Sequence, residues 1–283
     1  MFLHYAENPV TLATSLRFQH YLSLHETGAL LPEIVPVGEI KQVLDVGCGP
    51  GAWCIELAGL YPARQIVGID SNAGLIRIAQ QDLQQADMPS APLFEYCNAL
   101  EQLPYANKRF DFIHMYHSNI RNVPQVEPVL LQELWRVLRP GGWINLVDLE
   151  IGPVSSEAAN TLFSYLRSGV ENGDQGQEVR PVTSAVFYPQ FLAQVGYHTI
   201  HYTLYPIDLG NLKGHIGHDY VMSVLASDKH IANFLDRMGL ARRKDVHALL
   251  QQMAQDAQRI DYFCAGMLIS MVAVKPSSGT TPG

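Results

Sequence analysis

The stretch VLDVGCGPG, Val43–Gly51, decides the fold. Its first half is a stiff apolar run holding one carboxylate, Asp45. Its second half packs Gly47, Gly49, Gly51 and Pro50 around Cys48. A buried strand that ends so abruptly reads as a sharp turn into a helix, here AWCIELAGLY. Glycine accepts positive φ and lets a ligand lie against the backbone without meeting a Cβ. The free amides at the helix start attract a negative or strongly polar group. Asp45, inside an apolar strand, needs a partner against desolvation. Either a structural hydrogen bond or the ammonium of a ligand would serve.

Working outward, strand and helix alternate. QIVGID is a second strand and AGLIRIAQQDLQQA its helix; LFEYCNA is a third strand and FDFIHMY a fourth. VEPVLLQELWRVL follows as a helix, cut by RPGG, and WINLVDLE is a fifth strand. Such alternation with short links predicts a mostly parallel sheet with helices on both faces, a Rossmann-like α/β fold. The strands are apolar with little alternation, as both-face burial requires. Beyond Glu150 come helices, a sixth strand in HTIHYTLYPIDL, a helical run over roughly Gly214 to Ala257, and a last strand in DYFCAGMLISMVAV. The expected organisation is a helical lid over residues 1–40, a main domain over 41–275 with a helical cap insert near 211–258, and a disordered tail, 276–283.

Composition narrows the function. The chain has 283 residues, 47% hydrophobic and 16% charged, enough to build a substantial core. Nineteen basic against 27 acidic residues leave a net charge of −8, which repels a phosphate backbone. Nucleic acid is therefore not the expected partner. No apolar run reaches the roughly 18–20 residues that span a bilayer, so no membrane partner is expected. The four cysteines show no C-x-x-C pairing or metal-like spacing, and with no secretory leader in MFLHYAENPV they indicate a cytoplasmic protein with reduced thiols. A homodimer is left open.

Asp70 closes the second strand about twenty residues beyond the glycines, where an acid can accept both hydroxyls of a ribose. The competing reading is a helix N-cap, a task that Ser71 or Asn72 could equally perform. The glycine spacing is G-x-G-x-G and not the dinucleotide pattern G-x-G-x-x-G, which weakens a nicotinamide oxidoreductase reading.

These stretches resemble the class I S-adenosylmethionine-dependent methyltransferases. VLDVGCGPG is similar to the family's first motif, and the resemblance implies that Asp45, Gly47, Cys48 and Gly49 contact the amino-acid end of the cofactor. QIVGID resembles the second motif, with Asp70 as ribose acid and Ser71 beside it. CNALEQLPY resembles the stretch that caps the adenine N6, placing Asn98 and Ala99 there. Asn98 replaces the usual acid; its amide oxygen still accepts a hydrogen bond, without charge assistance. RFDFIHMYH and ELWRVLRPGGWINLVD resemble the fourth-strand motif, with Met115 near the cofactor, and the helix–PGG–strand unit after it. The resemblance implies a seven-stranded sheet with the last strand antiparallel and S-adenosyl-L-methionine as cofactor.

The family has no universal catalytic residue, because positioning a nucleophile in line with the methyl accounts for much of the acceleration. His117 and Tyr116, just after the fourth strand, are the candidates for base and methyl-pocket lining. His114 reads as a core residue. Glu150 would touch a substrate or cap SSEAAN; Tyr5, Arg17 and Gln19 would touch cofactor or substrate from the lid. His215, His218 and Asp219 lack a third ligand at motif spacing, so no metal is expected. Phe187, Tyr188, Tyr202 and Tyr205 read as core. The expected function is methyl transfer to a small-molecule acceptor, in secondary metabolism or on a quinone-like ring. The alternatives are a cofactor-binding protein that does not methylate, regulatory or cyclase-type, and the oxidoreductase.

Overall fold

A computed structural model of the protein describes residues 8–86, 88, 90–116, 126–171, 184–212, 216–225 and 228–277. After helix α1 (Pro9–Thr27) come β1 (Gln42–Val46), α2 (Ala52–Leu60), β2 (Gln65–Asp70), α3 (Ala73–Gln85), β3 (Leu93–Tyr96), β4 (Phe110–Tyr116), α4 (Val126–Val137) and β5 (Leu138–Val154). Then follow α5 (Glu157–Glu171), α6 (Ser184–Val195), β6 (His198–Asp208), α7 (Ile216–Leu225), α8 (Asp228–Arg237), α9 (Arg243–Asp256) and β7 (Cys264–Val274). The seven strands are ordered β3-β2-β1-β4-β5-β7-β6.

The first five strands are parallel, with Asp45 opposite Gly68 on β2 and His114 on β4, and His114 opposite Asn145 on β5. β7 runs the other way. Lys275 N–H donates to Gly142 O at 2.9 Å while Ser155 N–H donates to Phe263 O at 2.8 Å, so the start of β5 meets the end of β7. Leu209 N–H to Cys264 O and Asn211 N–H to Tyr262 O, 2.8 and 2.9 Å, set β7 antiparallel to β6 as well. Only hydrogen-bond patterns of this kind give rising residue numbers on one strand against falling numbers on its neighbour. The expected mostly parallel sheet with an antiparallel last strand is the one observed.

The chain divides into two compact units. One comprises Ser23–Asp148, Ser184–Leu204 and Ile269–Gly283 and holds β1 to β4. Its core sets Val43, Trp53, Cys54, Leu57, Ile66, Ile76, Phe94 and Phe112 together. In α2 the buried residues Trp53, Cys54, Leu57 and Ala58 share one face, and in α3 Leu75, Ile76 and Ala79 do the same. At the lower end of the sheet Asp111 accepts from the backbone of Lys41 and Gln42, each at 2.8 Å, and pairs with Arg139. The buried Lys275 amine donates to Trp135 O and Leu138 O, answering carbonyls at the end of α4.

The other unit comprises Met1–Leu22, Leu149–Thr183 and Tyr205–Leu268. In it α9 packs on α5, α7 and α8. Ser156 accepts from Ala159 N–H at 3.1 Å as N-cap of α5 and donates to Asp256 at 2.6 Å. Ser15 of α1 donates to Ser223 O of α7 at 2.9 Å.

Three segments depart from the sequence reading. RPGG lies inside β5 rather than before it, because the end of β7 supplies the pairing that Gly141 and Gly142 need. β3 stops at Tyr96 because Asn98 Oδ1 accepts from Leu100 N–H at 3.2 Å and turns the chain. The run expected to be helical from Gly214 to Ala257 is broken after α8. There Gly239, at φ +69°, carries a 6→1 bond from Leu240 N–H to Leu235 O and a 5→2 bond to Asp236 O, a Schellman stop.

Candidate active site

The parallel strands β1, β2 and β4 end side by side, so the residues at their carboxyl ends share one edge. The first is the glycine turn. Gly47, Gly49 and Gly51 have φ of +74°, +55° and +77°, a region that side chains rarely adopt. Gly47 N–H and Cys48 N–H both donate to Ile69 O, at 2.8 and 2.9 Å, locking the turn against β2. Gly47 and Gly51 differ in purpose. Among the described residues a Cβ at Gly47 would meet nothing within 4 Å beyond its chain neighbours, whereas one at Gly51 would lie 2.4 Å from the Phe94 ring. Gly51 is a packing glycine; Gly47 is exposed and faces open space.

Asp70 is fixed by the same turn. Its Oδ2 accepts from Gly49 N–H at 3.0 Å and its Oδ1 from Asn72 N–H at 2.7 Å. It is not the N-cap of α3. That task falls to Asn72, whose Oδ1 accepts from Gly74 and Leu75 N–H at 2.9 and 3.3 Å. A carboxylate oxygen carries two acceptor sites, so an amide and a ligand hydroxyl can share one. Ser71 lies half-buried beside it.

Asp45 is 3% exposed. Its Oδ2 accepts from the Cys54 thiol at 3.2 Å, a structural partner from the first turn of α2 that the sequence reading left unnamed. Burial, reinforced by nearby Asp70, raises its carboxyl to about 7, the Cys54 bond only partly opposing this. Burial also raises the thiols of Cys48 and Cys54, so both stay protonated. All four cysteines are free thiols.

Asn98 and Ala99 sit half-buried after β3, where Asn98 Nδ2 also donates to Glu101 at 3.0 Å. Met115 is buried in β4, and Tyr116, half-buried, ends that strand. Burial and the neighbouring Asp148 push the Tyr116 phenol up, so it is a neutral hydrogen-bonding group and not a base near neutral pH. His117 lies outside the described residues, as do Tyr5 and His215 and the side chain of Phe187.

Of the remaining candidates, Glu150 lies within β5, which runs on to Val154; Arg17 and Gln19 lie on α1, and His218 and Asp219 on α7. Among the described residues no cluster of three or more His, Cys, Asp or Glu could hold a metal. Tyr188 is buried as expected, but Tyr202 is 58% exposed. It lies on β6, one of the two edge strands of the sheet.

A buried polar row escaped the sequence reading. Asp45, His114 and Asn145 are register partners on β1, β4 and β5, so they share one face at one depth. Ser270 of β7 donates to Asn145 Oδ1 at 2.9 Å, which turns Asn145 Nδ2 toward His114 Nδ1 at 3.5 Å. The Trp53 indole stacks on the His114 ring at 4.2 Å and 11°, and its Nε1–H donates to Leu30 O at 3.1 Å. The signal was a polar residue at mid-strand in each of three largely apolar strands.

Comparison with known proteins agrees with this geometry. Residues 43–142 match the family model described as a methyltransferase domain. The chain is 34% identical over 137 residues to a demethylmenaquinone methyltransferase of Listeria welshimeri, covering 47% of this chain and 56% of that protein. It is 30% identical over 120 residues to methyltransferase str2 of Strobilurus tenacellus, covering 42% and 40%. The chain thus aligns with only about half the length of such curated relatives. A crystal structure of the [4+2]-cyclase SpnF superposes with a TM-score of 0.55 at 18% identity, covering 93% of this chain and 82% of that one, a likeness of fold. The glycine turn and the acid closing β2 both fall within the matched segment, and residues 43–142 form a methyltransferase domain.

Proposed function

We propose that the protein is an S-adenosylmethionine-dependent methyltransferase acting on a small-molecule acceptor. The observation that carries this reading is the corner where Gly49 N–H holds Asp70 beside the open Gly47. The residues suit the cofactor. Gly47 leaves room for the amino-acid end, with Asp45 and Cys48 beneath it; Asp70 and Ser71 serve the ribose; Asn98 and Ala99 serve the adenine; Met115 lines the floor.

When bound, S-adenosylmethionine supplies a methyl group on a cationic sulfur. Asp70, already oriented by two amides, accepts the ribose hydroxyls without reorganising. Asp45 gives up its proton to face an ammonium, since a nearby cation favours the ionised carboxyl. Tyr116 lines the methyl side as a neutral phenol, and His117 is the candidate to take a proton from the acceptor. With orientation supplying most of the effect, a base is needed only for an acceptor protonated at neutral pH.

Charge and names narrow the acceptor. The net charge of −8 supports a small molecule over nucleic acid. Among the described residues no helix is long and apolar enough to cross a membrane. The free thiols support a reducing compartment such as the cytoplasm. One relative is named for demethylmenaquinone, so reduced quinone rings head the acceptor panel.

The test is calorimetry with S-adenosylhomocysteine followed by turnover against an acceptor panel. Binding below about 100 μM, the usual range for such sites, with S-adenosylhomocysteine released only when an acceptor is present, is the expected result. Tight binding without turnover on any acceptor would favour a binding or cyclase-type protein. Binding of a nicotinamide dinucleotide instead would overturn the reading.

A further inference from the structure

The loop between β3 and β4 carries Asn98 and Ala99, and it is held by two side chains of α4. Arg136, in the last turn of α4, donates from Nη1 to Tyr105 O at 2.8 Å and to Asn107 Oδ1 at 2.7 Å. Its Nη2 donates to Leu103 O at 3.0 Å. Its other face is a two-point ion pair with Glu133, Nε to Oε2 at 2.9 Å and Nη2 to Oε1 at 2.5 Å. Glu133 Oε1 in turn accepts from Leu103 N–H at 2.7 Å. Leu103 is therefore gripped at both its amide and its carbonyl by one ion pair.

Other contacts continue the clamp. Arg136 O accepts from Lys108 N–H at 2.9 Å. The Tyr105 hydroxyl donates to Glu95 of β3, its ring stands edge-on to Phe110 at 5.1 Å, and the Arg109 guanidinium lies 4.7 Å over it. The Glu133 carboxyl is held below its usual range, first by the Arg136 hydrogen bonds. A planar fork suits this task because it meets several carbonyls and a carboxylate in one fixed geometry. A loop with no strand pairing of its own is thus tied at Leu103, Tyr105, Asn107 and Lys108, just beyond Asn98.

We infer that Glu133 and Arg136 are positioning residues that set recognition of the cofactor's adenine, by holding the Asn98–Leu103 segment at its working distance from the end of β2. Neither residue is among those assigned to the cofactor; both act through the loop. The inference rests on the cofactor reading proposed above and adds a specificity determinant to it. A misplacement of about 1 Å can cost on the order of 10²-fold where geometry must be exact, and the clamp fixes the loop's distance.

The experiment compares S-adenosylhomocysteine with S-inosylhomocysteine, whose base presents a carbonyl where adenine presents an amine. Dissociation constants are measured by calorimetry for the unaltered protein, Arg136→Met and the milder Glu133→Gln, which keeps an oxygen for Leu103 N–H. The unaltered protein is expected to prefer the adenosyl compound. Arg136→Met is expected to weaken that compound about tenfold or more while leaving the inosyl compound nearly unchanged, so the preference collapses. Glu133→Gln is expected to move the same way by a smaller factor, and it serves alone if Arg136→Met does not fold. An undiminished preference, or equal weakening of both compounds, would overturn the inference and make the clamp ordinary scaffold. An unaltered protein that binds neither compound would overturn the cofactor reading itself.

Discussion

Asp70 and Gly49 are joined by one hydrogen bond, Gly49 N–H to Asp70 Oδ2 at 3.0 Å, across the ends of two adjacent strands. The acid that would read a ribose is thereby built into the turn that would hold the amino-acid end. A second amide, Asn72 N–H, fixes the other oxygen. Asp70→Asn sets an amino group against one of these donors, so one backbone amide loses its acceptor at a cost of about 1–3 kcal/mol. Affinity for S-adenosylhomocysteine should fall at least about tenfold as the charge-assisted bonds to the sugar are lost. Asn72→Ala removes only the cap of α3, costing about 1 kcal/mol of stability with affinity nearly unchanged. Calorimetry and urea unfolding on both variants check the contrast. Equal losses of affinity would show that Asp70 is a structural latch alone.

Asp45 makes stability depend on pH with a definite sign. Its carboxyl lies at about 7 in the fold against 3.8 unperturbed, so the folded state holds the proton more tightly. The group's favourable contribution is complete below about pH 4 and is lost as pH rises through 7, roughly 4 kcal/mol in all by linkage. Asp45→Asn removes the titration, so its stability relative to the unaltered protein should rise between about pH 4 and pH 7 and level off above that. Urea unfolding at several pH values reads this directly, and parallel pH profiles would refute it. With a cationic ligand bound the carboxyl should ionise. Calorimetry near pH 7 in buffers of different ionisation enthalpy should then report proton release that Asp45→Asn lacks.

The row from His114 through Asn145 to Ser270 should behave as a unit. Asn145→Ala leaves the Ser270 hydroxyl and a His114 nitrogen buried without their partner and should cost about 2–3 kcal/mol. Ser270→Ala should cost about 1 kcal/mol. The double variant should fall short of the sum by at least about 0.5 kcal/mol, since the two share one bond. Additive losses in urea unfolding would mean that the row is three unconnected polar residues.

The parts of this molecule set by local chemistry were legible in the sequence. Gly47 to Gly51 announce a turn through positive φ, and QIVGID announces a buried strand ending in an acid, because both depend on neighbours in the chain. What was not legible depends on register. Nothing local says that Asp45 stands opposite His114, or that Cys54 reaches back one turn to its carboxylate. The length of β5 was likewise hidden, because Gly141 and Gly142 become strand only when Lys275, far along the chain, arrives to pair with them. Arg136 reads in sequence as one more basic residue near a helix end. Its part in holding Leu103 appears only when the loop folds back upon it.

The two outer glycines of the turn offer the sharpest separation of binding from folding. Both have positive φ, +74° at Gly47 and +77° at Gly51, so alanine at either pays a backbone penalty of about 1–2 kcal/mol. At Gly51 the added methyl also meets the Phe94 ring at 2.4 Å and Ala79 at 3.0 Å in a closed core. Overpacking there adds about 1–3 kcal/mol, so Gly51→Ala should lose markedly more stability. At Gly47 the methyl meets no atom of the described residues within 4 Å beyond its chain neighbours. Gly47→Ala should therefore fold with only the backbone penalty, yet bind S-adenosylhomocysteine at least about tenfold more weakly, because the methyl occupies the space a ligand needs. Thermal unfolding paired with calorimetry on the two variants measures both quantities. If Gly47→Ala kept full affinity, the open face of the turn would not be where the cofactor lies.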